Sequence, residues 1–198
     1  MDGSLYRWIN RLANRTHWAH GFLTAYANYG VVLFALLLLA AYLQGRQNGD
    51  LRVVAGAVWA AGSALVALGI GQLIGSAVDR ARPYATMSGV HVLVDKSTDF
   101  SFPSDHATVV GAVAAGLLFT NRRWGITATV LAVLMAFTRV YVGAHYPGDV
   151  LAGLALGAAV AAAGQPLIVP ILTRIAAALA RTPGRVLVSA PRTARAGD

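Results

Sequence analysis

Apolar residues along this chain fall into one short amphipathic segment and five long runs, separated by brief polar breaks. Over residues 4–15, Leu5, Trp8, Ile9 and Leu12 recur at i, i+3, i+4 and i+7, while Arg7, Asn10, Arg11, Asn14 and Arg15 take the opposite face. That is the period of a helix with one apolar stripe. Tryptophan on the stripe and arginine opposite fit a helix lying in a membrane interface; a helix packed on the protein's own surface fits the pattern equally well. The five runs cover roughly 19–43, 53–78, 104–120, 124–142 and 147–169. Each approaches the about 20 residues that a helix needs to cross a bilayer core. Gln165-Pro166 and Pro170 are expected to kink or end the fifth.

The pattern predicts an all-α integral membrane helical bundle of five transmembrane helices plus an N-terminal amphipathic helix. It forms a single domain over 1–180, with its core at 19–172. Residues 182–198, rich in Arg, Pro, Ala and Thr, are expected to be a mobile basic tail. No fixed-period repeat is visible. Gly71/Gly75 and Gly153/Gly157 place small residues at the spacing that lets helices approach closely. The one sizeable polar interruption is 79–106.

Composition sharpens this picture. Of the 198 residues, 57% are hydrophobic and 12% charged, against about 25% charged in soluble domains. Cysteine is absent, which removes disulfides, thiolate ligands and thiol catalysis. The net charge of +8 rests on fifteen arginines and Lys96. They lie between apolar runs rather than on one soluble face, so anionic lipid headgroups fit as partners and nucleic acid does not. Residues 1–15 hold three arginines and no apolar core stretch, so no cleavable signal peptide is expected. Five spans put the 44–52 and 121–123 loops and the tail on one side with nine arginines, against seven basic residues on the other. The positive-inside rule then puts the tail in the cytoplasm and the 79–103 loop outside the plasma membrane.

Three clusters hold the chemistry. Arg80-Ala81-Arg82-Pro83 follows the second run, Phe102-Pro103-Ser104-Asp105-His106 opens the third, and Arg139 with His145-Tyr146-Pro147-Gly148-Asp149 joins the fourth to the fifth. Tracing the chain through the bilayer brings all three to the same face, and ionisable groups at membrane depth mark function by default. Two arginines offer forked donors that match phosphate oxygens. Ser104 after Pro103 reads as a helix N-cap, where free N–H groups bind phosphate well. Two histidines can divide nucleophile and acid roles. Asp149, four residues after His145, is expected to accept an imidazole N–H. Zinc ligation by His106, His145, Asp105 and Asp149 competes; the adjacent arginines argue against it, because they already supply positive charge.

The spacing "TRVYVGAHYPGD", with Arg139, His145 and Asp149, closely resembles the SRxxxxxHxxxD signature of the type 2 phosphatidic acid phosphatase superfamily. "FPSDH" resembles its PSGH signature, and Arg82-Pro83 the end of its KxxxxxxRP signature. The resemblance spans roughly 53–165. It implies a metal-free membrane phosphatase without a cofactor. His145 would be the nucleophile that becomes a phosphohistidine, Asp149 its orienting carboxylate and His106 the acid for the leaving oxygen. Arg82, Arg139 and Ser104 would bind phosphate. Three positions depart from the signatures: Gly75 stands where lysine is expected, Asp105 where glycine is, and Thr138 where serine is. Arg80 or Lys96 is a candidate to replace the lysine charge, and Arg80 joins the expected phosphate-binding set.

"SFPSDHAT" and the short length resemble the polyprenyl-diphosphate phosphatases of the bacitracin-resistance type. That branch implies hydrolysis of undecaprenyl diphosphate to the monophosphate in cell-wall biogenesis. Alternatives are a phosphatidate, phosphatidylglycerophosphate or prenyl-sugar phosphate phosphatase, or a lipid phosphotransferase. A non-catalytic lipid-phosphate binder or transporter stands in a different class. The continuous apolar runs exclude a soluble haloperoxidase with the same signature. The sequence sets no oligomeric state.

Overall fold

The computed structural model describes residues 2–190. Its helices are α1 (Asp2–Ala13), α2 (His20–Asn48), α3 (Leu51–Val78), the short α4 (Pro83–Thr86), α5 (Asp105–Thr120), α6 (Arg122–Tyr141), α7 (Pro147–Leu179) and the single turn α8 (Arg185–Val188). Among the described residues there is no strand. By length and composition α2, α3, α6 and α7 are each able to cross a membrane, and α5 is a shorter apolar helix. The all-α membrane bundle expected from the apolar runs is therefore the fold.

The surface explains why this chain belongs in lipid. Leu36, Leu65, Leu73, Val130, Leu151 and Leu167 are all at least half exposed, on four different helices. In water such a belt would be a large apolar patch. The interior is instead built from small residues, with Ala57, Ala60, Ala64, Ala67, Ala112, Ala128 and Ala132 buried around Phe34, Val110, Leu117 and Met135. Alanine and glycine let backbones come close where lipid provides no hydrophobic drive for association. Gly153 and Gly157 do this between α7 and α5. A Cβ on Gly153 would stand 2.6 Å from the Ser104 carbonyl oxygen, and one on Gly157 would overlap the carbonyl of Thr108.

The central position of α5 matters for the site. It packs against α3, α6 and α7. Its 16 residues rise only about 24 Å at 1.5 Å each, short of a ~30 Å hydrocarbon core.

Several expectations are corrected. Pro166 and Pro170 do not end the fifth span; α7 runs through both to Leu179. Membrane helices tolerate proline where neighbours re-satisfy the freed carbonyls. Gly75 receives a loop, since a Cβ there would lie 3.1 Å from the Phe102 carbonyl and 3.3 Å from the Phe100 ring, while one on Gly71 would meet both Pro103 at 3.6 Å and Leu156 of α7 at 3.7 Å. Of the segment expected to be a mobile tail, residues 182–190 are docked. Val188 is buried beside Val54 and Ala176, Tyr42 and Arg46 donate to the carbonyls of Leu187 and Val186, and Ala190 N donates to Arg46 O at 3.0 Å. The remainder, 191–198, lies outside the described residues.

Helix α1 fits both of its sequence readings in part. Tyr6, Ile9 and Ala13 are buried against the protein, while Leu5 and Trp8 stay exposed. Asn10, assigned to the outer polar face, is instead buried. Its Nδ2 donates to His91 O at 2.7 Å and its Oδ1 accepts from His91 N at 2.8 Å. The helix thus clamps the 87–104 segment as well as lying on the bundle.

Candidate active site

The three sequence clusters meet at one end of the bundle, on the side where α1 packs. The 142–146 turn carries the central histidine. Gly143 has a φ of 83° and faces the His91 carbonyl closely, a left-handed conformation that glycine adopts without strain. Two backbone bonds knit the neighbouring segments: Ser101 N donates to Arg80 O at 2.8 Å and Ser104 N to Asp149 O at 3.1 Å. The starts of α5 and α7 and the end of α3 are thereby held in one register.

His145 is buried, at 2% exposure. Its Nδ1 lies 2.8 Å from Ser101 O. A carbonyl can only accept, so Nδ1 carries the proton and Nε2 keeps its lone pair in the neutral ring. Nε2 faces Arg82 Nη1 at 3.2 Å. Burial, then the positive charges of Arg139 and Arg82, push the His145 pKa well below its ordinary value of 6.5. A neutral imidazole with a fixed tautomer and its lone pair beside an arginine has the form that a nucleophile beside an anion site requires.

The expected His145–Asp149 hydrogen bond does not form. Asp149 Oδ2 is 3.9 Å from Nδ1, outside hydrogen-bond range, because the Ser101 carbonyl takes that place. Asp149 is fully buried and engaged elsewhere. Its Oδ2 accepts from Ser101 Oγ at 2.5 Å and Tyr146 N at 2.9 Å, and its Oδ1 from Arg80 Nη1 at 2.7 Å. It reaches the histidine through Ser101, whose hydroxyl it holds and whose carbonyl holds the ring. Ser101 opens the "SFPSDHAT" stretch, but the sequence assigned it no role.

Arg80, expected among the phosphate ligands, turns away from that role. It pairs with Asp149 and, through Nη2, with Asp2 Oδ2 at 2.6 Å, and stacks 4.1 Å over the Tyr146 ring. Burial alone would lower its pKa; Asp2 and Asp149 outweigh that and raise it. Lys96 is exposed and sits near the Tyr84 ring. The lysine position is closed at Gly75 by the Phe100–Phe102 segment.

The opposite side of His145 has a different character. Arg139 is 7% exposed. Its Nη1 donates to Ala27 O at 3.2 Å, and its Nε is buried without a hydrogen-bond partner. No carboxylate lies within salt-bridge distance of it among the described residues. Ser104 begins α5 with extended backbone angles but does not cap it; its Oγ too is buried without a partner. Arg82 Nε donates to Asp99 O at 3.1 Å and Nη1 also reaches Ala144 O at 3.3 Å. His106, in the first turn of α5, is close enough to Arg139 and Arg82 to feel both charges. Asp105 points elsewhere, accepting from Gln72 Nε2 with both oxygens at 3.0 Å. A buried arginine without a counter-ion is costly. Its orphaned donor, with that of Ser104, fits a tetrahedral anion. Zinc fits poorly, since Asp149 is saturated and three histidine or carboxylate side chains do not gather among the described residues.

Comparison with known proteins agrees with this geometry. The PAP2 superfamily matches residues 56–169. The chain is 32% identical over 154 residues to "Undecaprenyl-diphosphatase BcrC" of Bacillus subtilis, covering 78% of this chain and 77% of that one. It is 41% identical over 128 residues to "Decaprenylphosphoryl-5-phosphoribose phosphatase" of Mycobacterium tuberculosis, covering 64% and 66%. The crystal structure of Aquifex aeolicus LpxE has a similar fold, with a TM-score of 0.64 at 23% identity over 83% of this chain and 94% of that one. On the extent of these matches the protein belongs to the PAP2 superfamily and is a membrane hydrolase of lipid phosphates.

Proposed function

We propose that the protein hydrolyses a polyprenyl diphosphate to the monophosphate through a phosphohistidine on His145, at the extracytoplasmic face. The observation that carries this is the state of the imidazole. Its Nδ1–H is anchored on the Ser101 carbonyl and its Nε2 lone pair meets Arg82. Nε2 attacks the terminal phosphorus while Arg82, Arg139 and Ser104 Oγ hold the non-bridging oxygens. The bond to the bridging oxygen breaks, and His106, protonated once the anionic substrate offsets Arg82 and Arg139, gives its proton to that leaving oxygen. Water then attacks the phosphohistidine, His106 takes a proton from it, the P–N bond breaks, and phosphate leaves. This is covalent catalysis with fixed donors aimed at charge as it develops. The 32% identical relative supports the diphosphate headgroup, and the arginine-rich opposite side supports the orientation.

One observation favours a second substrate. The Gln72–Asp105 pair beside the site offers a donor and a carboxylate of the kind that binds hydroxyls, and a carboxylate there disfavours a second phosphate. A prenyl-phosphosugar phosphate suits that pair, as the decaprenyl relative's name suggests. The test is phosphate release by purified protein in detergent with excess EDTA. Polyprenyl diphosphate, a prenyl-phosphosugar phosphate and phosphatidate are compared, with His145→Ala as control. Fastest release from the diphosphate, abolished in the variant by about a thousandfold or more, is the expected result. Fastest release from the sugar phosphate moves the assignment to the second reading. Activity retained by His145→Ala ends the phosphohistidine mechanism.

A further inference from the structure

The amphipathic helix α1 does more than pack on the surface of the bundle. Its first residue in the structure, Asp2, reaches the back of the catalytic loop. Asp2 Oδ2 receives Arg80 Nη2 at 2.6 Å, and Oδ1 receives Gly148 N at 2.9 Å. Gly148 is the second residue of α7, where helix N–H groups have no partner within the helix. Tyr146, at the N-cap, offers no side-chain bond. Asp2 therefore caps α7 from another helix, and its negative charge also suits the positive end of the helix. A Cβ on Gly148 would come within 3.0 Å of Asp2 Oδ2, so glycine there is what admits the carboxylate.

The pair is more than a surface ion pair. Arg80 is shared between two carboxylates, Asp2 outside and Asp149 inside, and its plane rests on Tyr146. The rest of α1 fixes where Asp2 can stand. Tyr6 packs on Tyr146 with centroids 5.5 Å apart and its Oη donates to Gly143 O at 3.3 Å, while Asn10 holds the His91 backbone. A continuous line then runs from Asp2 to Arg80, to Asp149, to Ser101, to the Nδ1 of His145.

We propose that Asp2 is a positioning residue for the reaction: it fixes Arg80 and the first turn of α7, so that Asp149 and Ser101 hold His145 in its attacking orientation. The proposal rests on the phosphohistidine reading above. Asp2 touches neither the substrate nor the reacting atoms, so its loss alters turnover rather than binding. A group acting through one partner also shows non-additivity with that partner.

The experiment is a double-mutant cycle on the full chain in detergent, comparing wild type, Asp2→Asn, Arg80→Ala and the double variant, with Asp2→Glu alongside. Thermal unfolding is recorded for each. Asp2→Asn is expected to lower kcat about five- to tenfold with KM unchanged, and to change kcat less than about twofold in the Arg80→Ala background. Asp2→Glu, which keeps the charge, is expected to recover part of the loss. Equal losses in both backgrounds, a change in KM alone, or no loss in Asp2→Asn would each overturn the proposal. So would a loss that disappears when assays are run well below each variant's unfolding temperature. If wild type is active and His145→Ala is dead while Asp2→Asn is normal, only the positioning role fails. If His145→Ala is active, the underlying mechanism fails instead.

Discussion

The two sides of His145 are built on opposite rules. Behind the ring every group is engaged: Nδ1 on the Ser101 carbonyl, Asp149 on three donors, Arg80 on two carboxylates. In front of it, Arg139 Nε and Ser104 Oγ are buried with no partner. The back side is saturated and stabilises the fold. The front side carries an uncompensated positive charge that only an anion relieves. The difference separates the engaged groups behind the ring from the unpartnered donors in front of it, although Asp149, Arg80, Arg139 and Ser104 all come from the same three short clusters.

That contrast is open to direct attack. The largest effect is expected from the front. Arg139→Ala should lower kcat/KM by about a hundred- to a thousandfold, while the unfolding temperature holds or rises, because a buried unpaired charge is removed. A fall in stability of the size seen for paired buried charges would show that Arg139 has a structural partner and would break the comparison.

The back side should respond the other way. Ser101→Ala deletes the hydroxyl on Asp149 but keeps the carbonyl on His145. It should lower kcat about tenfold and cost about 1–3 kcal/mol of stability, as expected when a buried acceptor loses a donor. Activity loss with unchanged stability would move Ser101 to the front.

The smallest effect is in pH. The His145 pKa is depressed by burial and by the two arginines, so the nucleophile stays neutral well below pH 6.5. The acid limb of kcat/KM should therefore lie below 6.5, and a limb at or above it would contradict the neutral nucleophile. The stability sign follows. Only the unfolded chain takes up this proton near pH 6.5, so the contribution of His145 is complete above that value and declines as pH falls below it.

The sequence carried the front side almost whole. Arg82, Ser104, His106 and Arg139 stand in recognisable spacings, and tracing apolar runs through a bilayer was enough to bring them together. The order of apolar helices survived for the same reason, although four of the five runs form helices long enough to cross a membrane and α5 is shorter. The back side was hidden. Ser101 acts through its carbonyl, which every residue possesses, and Asp2 and Asn10 act through partners 146 and 81 positions away. Asn10 in particular looked like part of a solvated face, because period assigns a face but not what that face meets. The Asp149–His145 bond suggested by four-residue spacing failed because the two residues straddle the start of α7. Pro166 and Pro170 do not end α7, because a membrane helix tolerates proline where its neighbours satisfy the freed carbonyls.

The contact between Asp2 and Gly148 also bears on how the molecule is made. The elements it joins lie far apart in the order of synthesis: α1 is translated before α2, and α7 follows α6. The helices between them can enter the bilayer and pack through their alanine and glycine faces one after another. The nucleophile, its carboxylate and the N-terminal brace can come together only once α7 is in place. The proposed site is therefore complete only once α7 is in place, and a chain stalled after α6 holds Arg82 and Arg139 but lacks Asp149 and the Gly148 contact.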